Sequence, residues 1–139
     1  MPPAVRKGAA HLAFGAAGEE AAAEFLRRAG FAVVDRNWRV GKLELDLVCR
    51  RKKTVVFVEV KARGVGSLGS PADGLTPAKK NRLARAAAQW LSANDAWDAP
   101  CRFDLVAVRE EGGRLVCEHV EDVIDMATAL GGAGSWQPW

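Results

Sequence analysis

The chain has 139 residues, 49% of them apolar and 27% charged, which is the size and balance of a single domain able to bury its own core. No run approaches the roughly 18 apolar residues of a membrane span. Met1 to Phe14 lack a signal-peptide core, and three unpaired-looking cysteines (Cys49, Cys101, Cys117) exclude a disulfide framework and point to a reducing cytoplasm.

In chain order, the spacing predicts a first helix over about Ala16 to Ala29. Ala21, Ala22, Phe25, Leu26 and Ala29 form its apolar stripe, Gly30 supplies its stop, and Arg27 and Arg28 suit its C-terminal dipole. Phe31 to Val34 reads as a short strand leading into Asn37-Trp38-Arg39. Leu43 to Cys49 alternates, so Leu43, Leu45, Leu47 and Cys49 are expected on one face and Glu44, Asp46 and Val48 on the other. Arg50-Arg51-Lys52-Lys53 should turn the chain into Thr54 to Ala62, a nearly continuous apolar strand of the kind buried at a sheet centre.

A loop rich in Gly, Ser and Pro, Gly64 to Gly74, precedes a second helix. Thr76 can cap it and Pro77 suits its first position; it should run to about Leu91 with Leu83, Ala86, Ala87, Trp90 and Leu91 inward. Cys101 to Val108 and Leu115 to Val120 read as strands joined across Glu111-Gly112-Gly113. Glu121 to Leu130 can form a last helix, and residues 131–139 a loose tail. The order α-β-β-β-α-β-β-α predicts an α/β fold: a mixed central sheet flanked by helices, with parallel strands either side of the second helix.

The anomaly lies in the hairpin. Glu59 and Lys61 interrupt the most apolar strand and share one face, as do Glu44 and Asp46 on the strand before it. If the turn centres on Lys52-Lys53, Asp46 lies opposite Glu59 and Glu44 opposite Lys61. Clustered carboxylates are costly unless neutralised. A hard divalent cation would do this with one or two carboxylates, waters and substrate phosphate oxygens. Lys61 could then position water or stabilise charge on a phosphate. The alternative is an ion network of Asp46, Glu59 and Lys61 without metal.

Two helices add to this place. Glu19 falls at the border of the first helix's stripe, beside Ala22, Ala23 and Leu26, whereas Glu20, Glu24 and Arg27 gather on the solvent side. Lys79 and Lys80 lie in the first turn of the second helix, where a cation opposes the dipole; a phosphate or a metal-site carboxylate would explain them. Arg82 and Arg85 point outward and could track a backbone. Residues 36–85 carry 13 Lys or Arg against four acids, and residues 86–139 three against nine. Such a local excess fits a polyanion footprint, or a solvated face.

Several ordered blocks resemble the YraN family of small bacterial proteins in the restriction-endonuclease-like PD-(D/E)XK superfamily. They are Gly15-Ala16-Ala17-Gly18-Glu19, Asn37-Trp38-Arg39, Leu43-Glu44-Leu45-Asp46-Leu47, Phe57 to Arg63, Gly69-Ser70-Pro71, Thr76-Pro77-Ala78-Lys79 and Cys101 to Asp104, spanning about residues 12–125. One departure is Leu43, where the family has glycine. The resemblance implies a restriction-endonuclease-like α-β-β-β-α-β core and a metal-dependent endonuclease acting on DNA, similar to archaeal Holliday-junction resolvases. It implies Mg²⁺ or Mn²⁺ held by Asp46, Glu59 and the carbonyl of Val60, with Lys61 assisting and Glu19 orienting water or a second ion. Arg39, Arg63, Lys79, Lys80 and Arg82 are the expected substrate contacts, and a homodimer is the form in which resolvases of this type cut two strands.

Gly64-Val65-Gly66-Ser67-Leu68-Gly69 matches a dinucleotide-binding pattern, but the helix waits until Thr76 and no acid follows on a second strand, which excludes that reading. His11 and His119 lack evident metal or catalytic partners. Cys49 and Cys117 are expected to pack as small hydrophobes, Cys101 to lie near the surface, and Arg102 and Asp104 to form a structural ion pair. Trp90 is expected in the core, while Trp136 and Trp139 could serve a dimer contact.

Overall fold

The computed structural model describes residues 7–63 and 74–129, with side chains over 15–62 and 74–129. Its elements are α1 (Lys7–Arg28), β1 (Ala32–Val40), β2 (Leu43–Arg51), β3 (Thr54–Arg63), α2 (Pro77–Ala93), β4 (Cys101–Glu111), β5 (Arg114–Val120) and α3 (Met126–Ala129). This is the expected order. The five strands form one mixed sheet in the order β1-β2-β3-β4-β5. Only β3 and β4 run parallel, joined across α2. Among the described residues no helix is long and apolar enough to cross a membrane.

Each face of the sheet carries one main helix. Ala22, Ala23 and Leu26 of α1 pack on Leu47, Val56, Val58, Val106 and Val108. Leu83, Ala87, Trp90 and Leu91 of α2 pack on Val48, Val55, Phe57 and Phe103. Phe57 is the keystone of the second layer, with the Trp90 and Phe103 rings each 5.7 Å away. The Trp90 indole escapes an unsatisfied burial by donating to Asp35 Oδ2 at 3.0 Å. Thr76 caps α2 by accepting from the Lys79 N–H at 3.2 Å, with Pro77 behind it, as expected.

Several boundaries differ from the sequence reading. Helix α1 starts at Lys7 rather than Ala16, because the alanine-rich stretch propagates helix through Gly15 and Gly18; an interior glycine costs only about 1 kcal/mol. It stops where expected, Gly30 taking φ +96°. Arg50 and Arg51 belong to β2, so Lys52 and Lys53 alone turn the hairpin. The last helix shrinks to Met126–Ala129. Residues 121–125 lie across the sheet instead, because Asp104 Oδ1 takes the Asp122 N–H at 2.9 Å and the Phe103 carbonyl takes the Val123 N–H at 2.8 Å. Backbone donors claimed in this way cannot serve a helix.

The sheet is not closed along its length. Strands β2 and β3 pair from Arg51↔Thr54 to Leu47↔Val58, in the expected register, and stop there. Beyond that point β2 stays with β1 as far as Val40↔Leu43, and β3 stays with β4 as far as Arg63↔Arg109. The two halves part like a fork between Asp46 and Glu59. The Val60 N–H, with no β2 strand partner, donates to Asp46 Oδ2 at 2.9 Å. The expected Glu44–Lys61 pair therefore does not form in the ladder.

The fork coincides with a change of face. Leu43 and Leu45 pack with α2, whereas Leu47 and Cys49 pack with α1, so the four leucine and cysteine side chains do not share one face as alternation predicts. On β1, Arg36 reaches Glu20 of α1 while Trp38 packs with the α2 layer. Between them Asn37 takes φ +50°, and its register position faces Asp46. A left-handed residue inside a strand breaks the two-residue period, and both strands switch faces there.

Candidate functional site

The mouth of the fork is a cleft of about 350 Å³. Helix α1 supplies Gly15, Gly18 and Glu19; β2 supplies Glu44 and Asp46; β3 supplies Glu59, Val60, Lys61 and Ala62. All four residues singled out in the sequence (Glu19, Asp46, Glu59 and Lys61) thus line one space. They arrive from three elements, and Gly18 brings α1 close to the sheet: a Cβ there would sit 3.8 Å from Val108.

Asp46 and Glu59 are hydrogen-bonded to each other. Burial first, then the charge of Glu59, push the Asp46 carboxyl up to about 8, against a single helpful donor from Val60. The pair thus holds a proton near neutral pH. Burial and the charge of Asp46 raise Glu19 as well, while a hydrogen bond from Asn37 pulls the other way. Lys79 of α2 reaches Glu59 at 3.1 Å. A carboxylate beside Lys79 offsets the cost of a cation in the first turn of a helix.

The side chains are hard oxygen donors: two touching carboxylates, one of them accepting from the Val60 N–H. Among the described residues no three His, Cys, Asp or Glu side chains close into a ready-made ion cage. The set nevertheless fits Mg²⁺ or Mn²⁺, which take one or two carboxylates and complete their shell with water and phosphate oxygens. The proton retained by Asp46 marks where positive charge is short. A self-contained ion network of Asp46, Glu59 and Lys61 is absent, since Glu59 pairs with Lys79 and neither Asp46 nor Lys61 has an ion pair among the described residues.

The outer cations divide. Lys79 and Lys80 are half-buried at the start of α2, and Arg82 is exposed. Lys79 and Arg82 border a smaller groove with Lys42, Leu43 and Glu44, and Glu44 also lines the cleft, so the two spaces adjoin. Arg39 is matched by Glu44 at 3.0 Å across the β1–β2 ladder. Arg63 ends β3, and its side chain lies outside the described residues, as do Gly64 to Asp73, His11, Trp136 and Trp139. Leu43, the departure from the family pattern, is an ordinary strand residue paired with Val40; the turn's need for a left-handed residue is met by Gly41 at φ +58°.

Three residues were not among the expected site set. Asn37 and Glu44 stood inside quoted motifs, but only the fork shows that one binds Glu19 and the other joins the two spaces. Gly74 carried no sequence signal beyond its place in a loop; the Lys61 amine lies against it.

A second ionisable cluster lies at the other end of β4. Asp104 is fully buried and accepts from Arg102 Nε at 3.0 Å, Arg102 Nη2 at 3.1 Å and the Asp122 N–H at 2.9 Å. The Arg102–Asp104 pair was expected. His119, read as lacking a metal or catalytic partner, sits 2.8 Å from Asp104 Oδ2 with the Phe25 and Phe31 rings against it. A fifteen-residue separation hid that contact. Cys49 is buried, its thiol pushed up to about 12 by burial, while Cys101 and Cys117 are partly exposed.

Fold and cleft together define an α/β protein whose mixed sheet opens into a carboxylate-lined fork. The model of the family described as "Uncharacterised protein family UPF0102" matches residues 18–108. A UPF0102 protein of Nitratidesulfovibrio vulgaris is 51% identical over 131 residues, covering 94% of this chain and 98% of its own. UPF0102 protein LI0223 of Lawsonia intracellularis is 38% identical over 126 residues, covering 90% and 96%. The chain belongs to the UPF0102 family, the YraN family of the sequence resemblance. Among solved structures it is similar to one described as "The structure of Pyrococcus Furiosus SfsA in complex with Ca2+", at 14% identity and a TM-score of 0.32. That match covers 69% of this chain and 56% of the other, too distant a likeness to carry an argument.

Proposed function

We propose that the protein is a metal-dependent endonuclease hydrolysing phosphodiester bonds in DNA, with Mg²⁺ or Mn²⁺ as cofactor and branched or junction DNA as substrate class. The observation that carries this reading is the pair of touching carboxylates, Asp46 and Glu59, at the fork, held by the Val60 N–H and Lys79 in a cleft that Glu19 and Lys61 also line.

Asp46, Glu59 and the Val60 carbonyl would hold the cation, which when bound polarises a phosphoryl oxygen and makes bound water more acidic. Asp46 releases its proton to become an anionic ligand. Glu19, raised and tethered by Asn37, accepts a proton from the attacking water at its carboxylate oxygens. The Lys61 amine offers positive charge to phosphate oxygens as negative charge builds on them. Lys80 and Arg82, with Lys42 across the adjoining groove, hold the flanking backbone through its phosphates, while Lys79 shares its charge between them and Glu59. Arg39, already matched by Glu44, contributes less, and Arg63 follows β3 toward the same end of the sheet. Paired cuts at a junction need two copies, so a homodimer belongs to the proposal and light scattering checks it.

The test is cleavage of labelled four-way junction, flap, single-stranded and plain duplex DNA with Mg²⁺, Mn²⁺ or EDTA. Wild type is compared with Asp46→Ala and Lys61→Ala, each checked for folding. Metal-dependent cutting lost in both variants is the expected result. Intact binding with no cutting by any of the three proteins would replace this reading with a nucleic-acid-binding module of the same fold.

A further inference from the structure

Among the described residues, Lys61 is the charged group of the cleft whose position is not explained by a hydrogen bond or an ion pair. Glu59 has Lys79, Asp46 has Glu59 and the Val60 N–H, and Glu19 has Asn37. Lys61 has no ion pair among the described residues. Its amine lies instead where a β-carbon on residue 74 would be. A Cβ built there falls onto Nζ, and 3.1 Å from Cε and 3.8 Å from Cδ.

Residue 74 is glycine, and its backbone does not require one: its φ lies outside the left-handed range that Gly30, Gly41, Gly112 and Gly113 occupy. Space is what remains as the reason for a missing side chain. The wall is also firmly held from behind. Leu75 is buried in the α2 layer, and Thr76 is fixed as the cap of α2. Any side chain at 74 would therefore displace the lysine, the flexible partner of the contact, and not the backbone.

We propose that Gly74 is a positioning residue for Lys61: its bare backbone forms the seat that holds the amine at the carboxylate cleft. This rests on the nuclease reading for its consequence, but the seat itself does not. Gly74→Ala and Gly74→Ser are expected to fold with unfolding midpoints at or above wild type, because removing a glycine of ordinary φ restricts the unfolded chain. They should nevertheless lose cleavage by roughly 10- to 100-fold in kcat with little change in KM, the scale on which a displacement of about 1 Å acts.

Two readouts separate positioning from general damage. In protein labelled at lysine with ¹³C and ¹⁵N, the Lys61 side-chain signals, assigned by their loss in Lys61→Arg, should shift in Gly74→Ala, while those of Lys52 and Lys53 at the far turn stay. In the Lys61→Ala background, Gly74→Ala should cost nothing further. Unmoved Lys61 signals, or losses that multiply in the double variant, would overturn the proposal. Shifted signals in a protein that never cleaves would retire the nuclease reading and leave the seat standing.

Discussion

Asp104 and Asp46 are both withdrawn from water on strands of the same sheet, and their surroundings could hardly differ more. Asp104 accepts from Arg102, His119 and the Asp122 N–H. Burial alone would raise its carboxyl, but those hydrogen bonds outweigh it and hold the group below its ordinary 3.8. Asp46 has one backbone donor and a second carboxylate in front of it, and is pushed up to about 8. A buried acid that serves structure is surrounded by donors from its own chain. Asp46 is left short of positive charge, a kind of perturbation that clusters at functional sites.

The comparison can be broken most easily at Asp104. Asp104→Ala leaves His119 and a backbone N–H without their acceptor and Arg102 with Glu121 alone, and a loss of about 3–5 kcal/mol is expected in urea unfolding. Asp46→Asn, in the metal-free protein at pH 8, should lose no stability and is expected to gain some. Equal losses at the two positions would mean that Asp46 is as structural as Asp104.

Next in size is the response to the cation. Mn²⁺ or Mg²⁺ at a hundredfold excess over Kd should stabilise wild type by about 2.7 kcal/mol, a rise of several degrees in Tm, and leave Asp46→Asn unmoved. The shift should be larger at pH 8 than at pH 6, since the ion competes with a proton for Asp46.

Without metal, the two acids pull stability in opposite directions with pH. Between the ordinary 3.8 and about 8 the folded state keeps a proton on Asp46 that the unfolded state has lost. Stability therefore falls as pH rises through that window and levels off above it. The stabilisation from Asp104 is full above 3.8 and is lost as pH falls through its lower folded value. Urea midpoints measured from pH 3 to pH 9 should show both limbs, with the upper one flattened in Asp46→Asn. The smallest effect is expected away from either acid: Thr76→Ala, which removes the α2 cap, should cost about 1 kcal/mol without changing the pH profile.

Much of this was legible in the chain. The period-two apolar runs, the Thr76-Pro77 cap and the Gly30 stop define element order and type, and the Lys52-Lys53 turn sets the register that puts Asp46 opposite Glu59. Charged residues in the most apolar strand marked the site. Local patterning reaches no further than one element and its turn, so the extra turns of α1, the collapse of the last helix onto Asp104 and the partner of His119 were hidden.

The amino-acid sequence by itself determined an α/β protein with a hairpin bearing acids and a lysine, because hydrophobic period and turn chemistry act between near neighbours. Only the tertiary structure decided that the sheet forks between Asp46 and Glu59, that Lys79 of α2 pairs with Glu59 and that Gly74 seats Lys61. Each of those depends on the space between elements distant in the chain, and that space exists only once the layers have packed.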